Sequence, residues 1–113
     1  MPFIRIETSE KITKEKQAAL TRELGDAIEL IKGKSERWLM LDFSGERAMA
    51  FSGDAGRCAM ITVKLFGSAS DGEYGALTER ICRIAEKSLS LPRDRVYVQY
   101  EEVSHWGWNG ANF

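Results

Sequence analysis

Histidine and cysteine are scarce in this sequence of 113 residues, which holds one histidine and two cysteines. A structural zinc site takes four such ligands, and a Ser-His-Asp triad needs a histidine with suitable partners. His105 has no catalytic partner close to it in the sequence, and Cys58 and Cys82 form no CxxC motif. We therefore expect an exposed, inert histidine, two small buried hydrophobic cysteines and no bound metal ion.

An excess of charge and long apolar runs are also missing. Lys and Arg number 16 against 17 Asp and Glu, which gives a net charge of −1 and no basic patch that would indicate nucleic acid binding. Scattered basic residues such as Arg93 and Arg95 are expected to be solvated. No apolar run approaches the ~20 residues that span a membrane, and no signal peptide is recognisable. The expected location is the cytoplasm, without membrane or nucleic acid partners.

One pattern of strand, helix and strand occurs twice, over residues of about 2–43 and of about 57–102. The predicted strands are PFIRIE, RWLMLDF, CAMITVKLF and RVYVQY. Each strand–helix–strand unit makes a parallel pair with a right-handed crossover. The sequence thus predicts a single α/β (α+β) domain over residues 1–113, with a four-stranded sheet and two helices on one face.

The ends of the two predicted helices are indicated by capping residues. Thr13 is the expected N-cap of the first helix, whose apolar face continues to Ile31, with Gly33 as the C-terminal cap. Either Ser70 or Asp71 is the expected N-cap of the second helix.

The second face of the predicted sheet has no helix to cover it. Trp38, Met40 and Leu41, together with Val63 and Leu65, indicate strands that are apolar on both sides. Since parallel sheets normally bury both faces, we expect another copy of the chain on this face.

A proline directly follows the initial methionine, in MPFIRIETSE. Proline in strands is confined to first positions, edges and bulges, so Pro2 can simply begin the first strand. Alternatively, loss of Met1 would leave a prolyl secondary amine, which is a base when neutral. An α-amino group has a pKa of about 7.7–8.0, and apolar surroundings with a nearby cation lower it further. Position alone favours the structural interpretation over the chemical one.

Five segments together resemble the macrophage migration inhibitory factor (MIF) family of the tautomerase superfamily. They are Pro2, Gly33-Lys34, MAFSG at 49–53, DRVYVQY at 94–100 and WGWNGANF at 106–113. The resemblance covers the whole chain without large insertions. It implies the tautomerase/MIF fold in a homotrimer, whose three sheets form a closed barrel with the helices outside. Residues 103–113 would be an interface segment.

The resemblance also implies a cofactor-free keto–enol tautomerase with sites at the subunit interfaces. Pro2, exposed after loss of Met1, would be the general base and acid, acting on a small 2-oxo acid or enol such as phenylpyruvate-like and dopachrome-like compounds. The implied substrate-binding residues are Lys34, Phe66, Tyr97, Gln99, Trp106, Trp108, Phe113, Trp38 and Phe3.

Some of these residues also have an ordinary structural interpretation. Lys34 could be a solvated lysine favoured at a helix C-terminus, whereas the family position makes it the group that binds a substrate carboxylate or carbonyl. Tyr97 could be a core residue of its strand, whereas the family tyrosine reaches the site of an adjacent subunit. The aromatic residues of 106–113 could form an interface strand, a lid over the proline, or both.

The sequence departs from the mammalian members at four positions. Gln99 stands in place of asparagine, Phe66 in place of a smaller aliphatic residue and Trp106 in place of valine, so we expect a tighter pocket mouth. The mammalian CxxC motif is Cys58-Ala59-Met60-Ile61 here. Its second cysteine is missing, and the thiol–disulfide activity of that motif is not carried over.

Two other functions are compatible with the same resemblance. The first is a cytokine mimic or trimeric receptor-binding protein with vestigial catalysis, secreted without a signal peptide as the animal members are. The second is hydration-type chemistry, such as dehalogenation or decarboxylation. Enzymes with this chemistry generally have additional arginines and a carboxylate around the proline, whereas this sequence offers only Arg5 and Arg37.

Overall fold

A computed structural model describes the whole chain, residues 1–113. Its helices and strands are, in chain order, β1 (Pro2–Thr8), α1 (Lys14–Ala27), β2 (Met40–Ser44), β3 (Ala50–Phe51), β4 (Asp54–Ala55), β5 (Ala59–Phe66), α2 (Asp71–Leu89), β6 (Val96–Val103), β7 (Gly107–Trp108) and β8 (Ala111–Asn112). Short 3-10 turns occupy Ile28–Leu30, Glu36–Trp38 and Arg93–Arg95.

The main sheet has four strands in the order β2-β1-β5-β6. Strands β1 and β2 are parallel, as are β5 and β6, and the two pairs join through the antiparallel contact between β1 and β5. Each parallel pair is connected through one helix, which is the crossover that a parallel pair requires. The predicted α+β fold with two β-α-β units is therefore confirmed.

The core lies between the sheet and the two helices. Alternate residues of each strand point to one face of a sheet, and in β5 the inward set is fully buried while the outward set is half-buried. The largest fully buried side chains of the core are those of Ile4, Ile6, Leu20, Leu24, Ile28, Ile31, Ile61, Leu65, Leu77, Ile81, Leu89 and Leu91. None of the helices is long and apolar enough to cross a membrane.

The predicted N-caps of both helices are confirmed. The Thr13 side chain accepts a hydrogen bond of 3.2 Å from the Lys16 amide. At α2 the cap is Ser70 rather than Asp71, and it forms a reciprocal capping box with Glu73. These contacts satisfy amide groups that a helix start otherwise leaves without partners.

The predicted end of the first helix was wrong. Helix α1 stops at Ala27, and the chain then tightens into i to i+3 hydrogen bonds, Ile31 amide to Ile28 carbonyl and Lys34 amide to Ile31 carbonyl. Gly33 lies beyond the helix and has a φ of +82°, a backbone conformation that residues other than glycine rarely adopt. These turns place Lys34 close to the end of β5, where its side chain bonds the Phe66 carbonyl.

The predicted start of the second strand was also wrong. Arg37 and Trp38 belong to the 3-10 turn Glu36–Trp38, and β2 begins only at Met40. The Leu39 amide bonds to the Glu36 carbonyl, so the turn closes just before the strand begins. Trp38 therefore stands at the end of the sheet, not on its surface.

The apolar character predicted for the second face was wrong. Val63 and Leu65 are two residues apart and both point to the helices, where each is fully buried. The open face instead carries ion pairs between Arg5 and Asp42 and between Lys64 and Glu101, and its exposed large hydrophobic residues are Met40 and Tyr97. A sheet that contains antiparallel pairs can leave one face solvated, which this polar pattern permits.

Candidate active site

Pro2 and Lys34 meet the end of β5 at one end of the sheet. Pro2 is buried and pairs in register with Leu65. The Met1 carbonyl accepts a hydrogen bond of 3.0 Å from the Phe66 amide, and the Lys34 Nζ donates one of 2.8 Å to the Phe66 carbonyl. The N-terminus and Lys34 thus converge on the two backbone groups of a single residue.

The local environment favours a neutral amine at this position. Burial is the main cause that lowers the pKa of the Met1 amine from 8.0 to about 6, and the charge of Lys34 and its hydrogen bond add to the effect. Both causes act against the protonated amine, because it is poorly solvated and close to another cation. An amine here can accept a proton near neutral pH.

The C-terminal hairpin β7–β8 lies beside the N-terminus. Its turn residues Asn109 and Gly110 have φ values of 52° and 83°, which is typical of the Asn-Gly turn that joins two strands tightly. The Phe113 amide closes the hairpin with a bond of 3.0 Å to the Trp106 carbonyl. Residues 106–113, which were expected to form an interface strand or a lid, contain this hairpin, and the Asn-Gly pair was the sequence signal for it.

Aromatic rings of the hairpin pack on rings from two other elements. Trp38 meets Trp108 edge to face with ring centroids 4.9 Å apart, and Phe66 lies 5.8 Å from Phe113. Trp108 and Phe113 are stacked at 6.5 Å. Such pairs contribute about 0.5–1.5 kcal/mol each beyond their buried area. They hold the hairpin over the end of the sheet that carries Pro2.

Two cavities adjoin the N-terminus and share Met1 and Trp38. The first, of about 380 Å³, is also lined by Pro2, Arg37, Trp106 and Trp108. The second, of about 240 Å³, is bounded by Gly33, Phe66 and Phe113. The structure therefore brings seven predicted site residues together in one chain: Pro2, Lys34, Trp38, Phe66, Trp106, Trp108 and Phe113.

Tyr97 and Gln99 are not brought to Pro2 within one chain. The register places Pro2 opposite Leu65 and Leu65 opposite Glu102. Tyr97 is five residues from Glu102 along β6, a distance of roughly 16 Å at about 3.3 Å per residue. Both side chains are exposed on the open face, Tyr97 beside Met60 toward the opposite end of the sheet and Gln99 beside Thr62 near its middle.

Phe3 also lies outside the two cavities. It points to the open face, where the Arg5 and Lys64 cations lie 5.5 and 5.9 Å from its ring centroid. Its neighbour Pro2 points to the helix side. This separation follows from the alternation of side chains along a strand.

Tyr97 stands at a third cavity, of about 410 Å³, which Phe51 and Met60 also line. Phe51 and Tyr97 are in ring contact at 4.7 Å. The residue that holds this region is Arg95, whose guanidinium donates to the carbonyls of Phe51, Asp54, Gly56 and Arg57 and lies 5.1 Å from the Phe51 ring centroid.

The expectation of a solvated Arg95 was wrong. Its four backbone acceptors lie 38 to 44 residues away in the sequence, and no local pattern reveals contacts of that range. They keep the β3–β4 hairpin beside Tyr97.

The remaining titratable candidates stay apart from the site. Cys58 is buried and Cys82 half-buried, both are free thiols, and burial raises the pKa of the Cys82 thiol. His105 is exposed and contacts only the neighbouring Ser104 hydroxyl, at 3.2 Å. No group of three or more His, Cys, Asp or Glu side chains is arranged to hold a metal ion.

Comparison with known proteins gives consistent matches over most or all of the chain. The sequence profile described as "Macrophage migration inhibitory factor (MIF)" matches residues 1–113. The crystal structure of Leishmania major MIF2 is 31% identical, with a TM-score of 0.94 over 100% of this chain and 97% of that one. A macrophage migration inhibitory factor homolog from Brugia malayi is 24% identical over 100% of this chain and 99% of its own length. The Xenopus laevis factor is 27% identical over 83% of this chain and 80% of its own.

Proposed function

This chain belongs to the macrophage migration inhibitory factor family, and we propose that it is a cofactor-independent keto–enol tautomerase whose general base and acid is the amine of Pro2, exposed by removal of Met1. The family includes proteins with tautomerase activity and with cytokine-like roles. The observation that carries the proposal is the meeting of the N-terminus, Lys34 and Phe66 in a setting that lowers the pKa of an amine.

Pro2 moves one proton in each direction of the reaction. From the keto form, its neutral amine takes a proton from the carbon beside the carbonyl, and the resulting ammonium returns a proton to the oxygen. Such transfer is efficient when the pKa of the base lies near the operating pH. Burial and the Lys34 charge, which lower the pKa of the Met1 amine, should act in the same direction on the prolyl amine one residue further along.

Lys34 and the Phe66 amide supply the donors for the substrate. Lys34 uses one donor on the Phe66 carbonyl, and an ammonium carries three, so two remain for a substrate carboxylate or carbonyl. Loss of Met1 removes the carbonyl that the Phe66 amide bonds. That amide then points, without a protein acceptor, to the space beside the new N-terminus and can donate to a substrate oxygen.

The aromatic walls favour a 2-oxo acid with an apolar or aromatic tail. Trp38, Phe66, Trp108 and Phe113 surround the N-terminus with ring faces and edges. Aromatic rings pair favourably at such centroid distances, and burial at this position partly desolvates the N-terminal amine. Phenylpyruvate and its enol match these requirements.

A homotrimer is part of the proposal. A trimer is typical of this fold, and Tyr97 and Gln99 lie too far from Pro2 to act in the same chain. If they belong to the site, an adjacent subunit supplies them. Light scattering at several concentrations tests the trimer directly.

The proposal is tested by phenylpyruvate ketonisation, followed by ultraviolet absorbance on protein whose mass confirms loss of Met1. The Pro2→Gly variant should lose at least about a hundredfold in kcat/KM, the scale of general acid–base catalysis. The chain has one other proline, and Pro92→Gly, in the exposed turn before β6, serves as the matched control with unchanged activity. Activity that survives in Pro2→Gly would place the base elsewhere.

Inactivity of the correctly trimmed trimer would favour the receptor-binding alternative. We place the tautomerase in the cytoplasm. Detection of the protein outside intact cells, with receptor binding that persists in Pro2→Gly, would instead support a cytokine-like role.

A further inference from the structure

Arg37 is a second cation at the proposed site, and the tautomerase mechanism above leaves it without a role. It lies in the 3-10 turn Glu36–Trp38, is exposed, and lines the same cavity as Pro2. Its guanidinium carbon stands 5.1 Å from the ring centroid of Trp38. No carboxylate or carbonyl of the chain accepts a hydrogen bond from it, whereas Arg5, Arg83 and Arg93 are all paired with carboxylates.

The surroundings of Arg37 favour an anion from outside the chain. Within its cavity of about 380 Å³, Arg37 is the charged residue among the walls formed by Met1, Pro2, Trp38, Leu39, Met40, Trp106, Gly107 and Trp108. Contact with the Trp38 ring restrains the guanidinium through a cation–π interaction. A guanidinium has five donors in a planar fork that matches a carboxylate, and here all of them are available.

The two cations lie near different cavities, and Trp38 lines both of these cavities. Lys34 bonds the carbonyl of Phe66, which lines the second cavity, and Arg37 lines the first cavity with Trp106 and Trp108. Met1 lines both cavities, so we expect its removal to join them beside the proline amine. A ligand whose 2-oxo acid group binds Lys34 and whose tail passes Pro2 directs the far end of that tail toward Arg37.

We propose that the substrate is a 2-oxo acid with a second carboxylate at the far end of an apolar or aromatic tail, and that Arg37 binds that carboxylate. This inference rests on the proposed tautomerase function and names its substrate class. Two parallel N–H to oxygen bonds between guanidinium and carboxylate give both affinity and orientation. Arg37 is then a specificity-determining residue, and Pro2 carries out the proton transfer.

A pair of substrates that differ in one group tests the proposal. Phenylpyruvate and 4-carboxyphenylpyruvate share the reacting atoms, and only the second has a far carboxylate. The quantity measured is the ratio of kcat/KM for the diacid to kcat/KM for the monoacid, at low ionic strength because exposed ion pairs are screened by salt. We expect a ratio of about ten in the wild type, since a charge-assisted hydrogen bond to a partly exposed group is worth about a factor of ten.

Three variants separate Arg37 from a general charge effect. Arg37→Gln should lower the ratio about tenfold, mainly through a higher KM for the diacid, because uniform binding is lost. Arg37→Lys should give an intermediate ratio, since a point charge lacks the planar fork. Arg22→Gln removes the same charge from an exposed position on α1 and should leave the ratio unchanged.

The outcomes distinguish this inference from the proposed function. Turnover of phenylpyruvate that depends on Pro2, with a ratio near one or a ratio that Arg37→Gln leaves unchanged, overturns the role of Arg37 alone. Without turnover of either compound the proposed function fails. In that case, the quenching of tryptophan fluorescence measures the binding of two unreactive compounds, 4-carboxycinnamate and cinnamate. If the diacid binds about tenfold more tightly and Arg37→Gln abolishes this difference, the Arg37 site is supported. Equal or undetectable binding of the two compounds overturns it.

Discussion

The two ends of the four-stranded sheet use arginine and lysine in opposite ways. At the proline end, formed by Pro2, Lys34 and Arg37, the cations keep unbonded donors beside apolar cavities. At the tyrosine end, formed by Phe51, Arg95 and Tyr97, the guanidinium of Arg95 bonds four backbone carbonyls. Donors that the protein has already satisfied stabilise structure, and donors left free can bind a ligand.

Removal of the Lys34 charge should have the largest effect of the changes below, and it acts at the proline end. Lys34→Met should lower kcat/KM for phenylpyruvate about 10- to 100-fold, because a charge-assisted hydrogen bond contributes roughly 1.5–3 kcal/mol. It should also raise the pKa of the Pro2 amine, since a neighbouring cation no longer opposes protonation. The matched control is Lys32→Met, an exposed residue whose backbone, not its side chain, bonds Glu73. Equal losses in both variants would contradict a specific role for Lys34.

Removal of the Arg95 guanidinium should affect stability rather than the reacting atoms. Arg95→Met leaves four carbonyls without their donor, and we expect a loss of about 2 kcal/mol in the free energy of unfolding. Urea denaturation at fixed protein concentration measures it. Arg93→Met removes an exposed arginine whose pair with Glu79 is 3.5 Å long and should cost under about 1 kcal/mol. Equal free energies of unfolding for the two variants would contradict a structural role that is specific to Arg95.

The pH dependence of kcat/KM should reveal the pKa of the Pro2 amine at the proline end. Only the neutral Pro2 amine accepts a proton, so kcat/KM should fall about tenfold per pH unit once the pH drops below its pKa. Burial and Lys34 lower the pKa of the amine at this position, so the fall should begin below the usual α-amino range of about 7.7–8.0. A pH–rate profile measures this point, and a fall that begins at or above pH 8 would show that the amine is not shielded.

Two glycine substitutions should test the hairpin that closes the proline end. Gly110 has a φ of 83°, so Gly110→Ala should cost about 1 kcal/mol through backbone strain alone, as no atom lies within 4 Å of the added Cβ. Gly75 lies within α2 with the same open space, and Gly75→Ala should stabilise by about 0.5–1 kcal/mol. Thermal unfolding distinguishes the signs, and two stabilising changes would contradict a strained turn.

Sequence patterns predicted local features of the fold better than they predicted which residues meet at the candidate site. Helix caps depend on contacts three residues apart, so Thr13 and Ser70 could be recognised directly. The role of Arg37 could not, because its cavity joins the start of the chain, the turn before β2 and the C-terminal hairpin. The resemblance of Pro2 and Lys34 to known motifs, rather than periodicity, indicated that these two residues belong together.

The sequence by itself determined the order along the chain of the two helices and of the four strands of the main sheet, together with the helix N-caps, because side-chain periodicity and capping are local properties. Tertiary structure decided that the face shared by Val63 and Leu65 is the one that packs on the helices, and that the opposite face carries ion pairs. It also decided that Lys34 reaches Phe66, 32 residues away. Such contacts depend on how elements pack in space, and the spacing of residues along the chain does not contain that information.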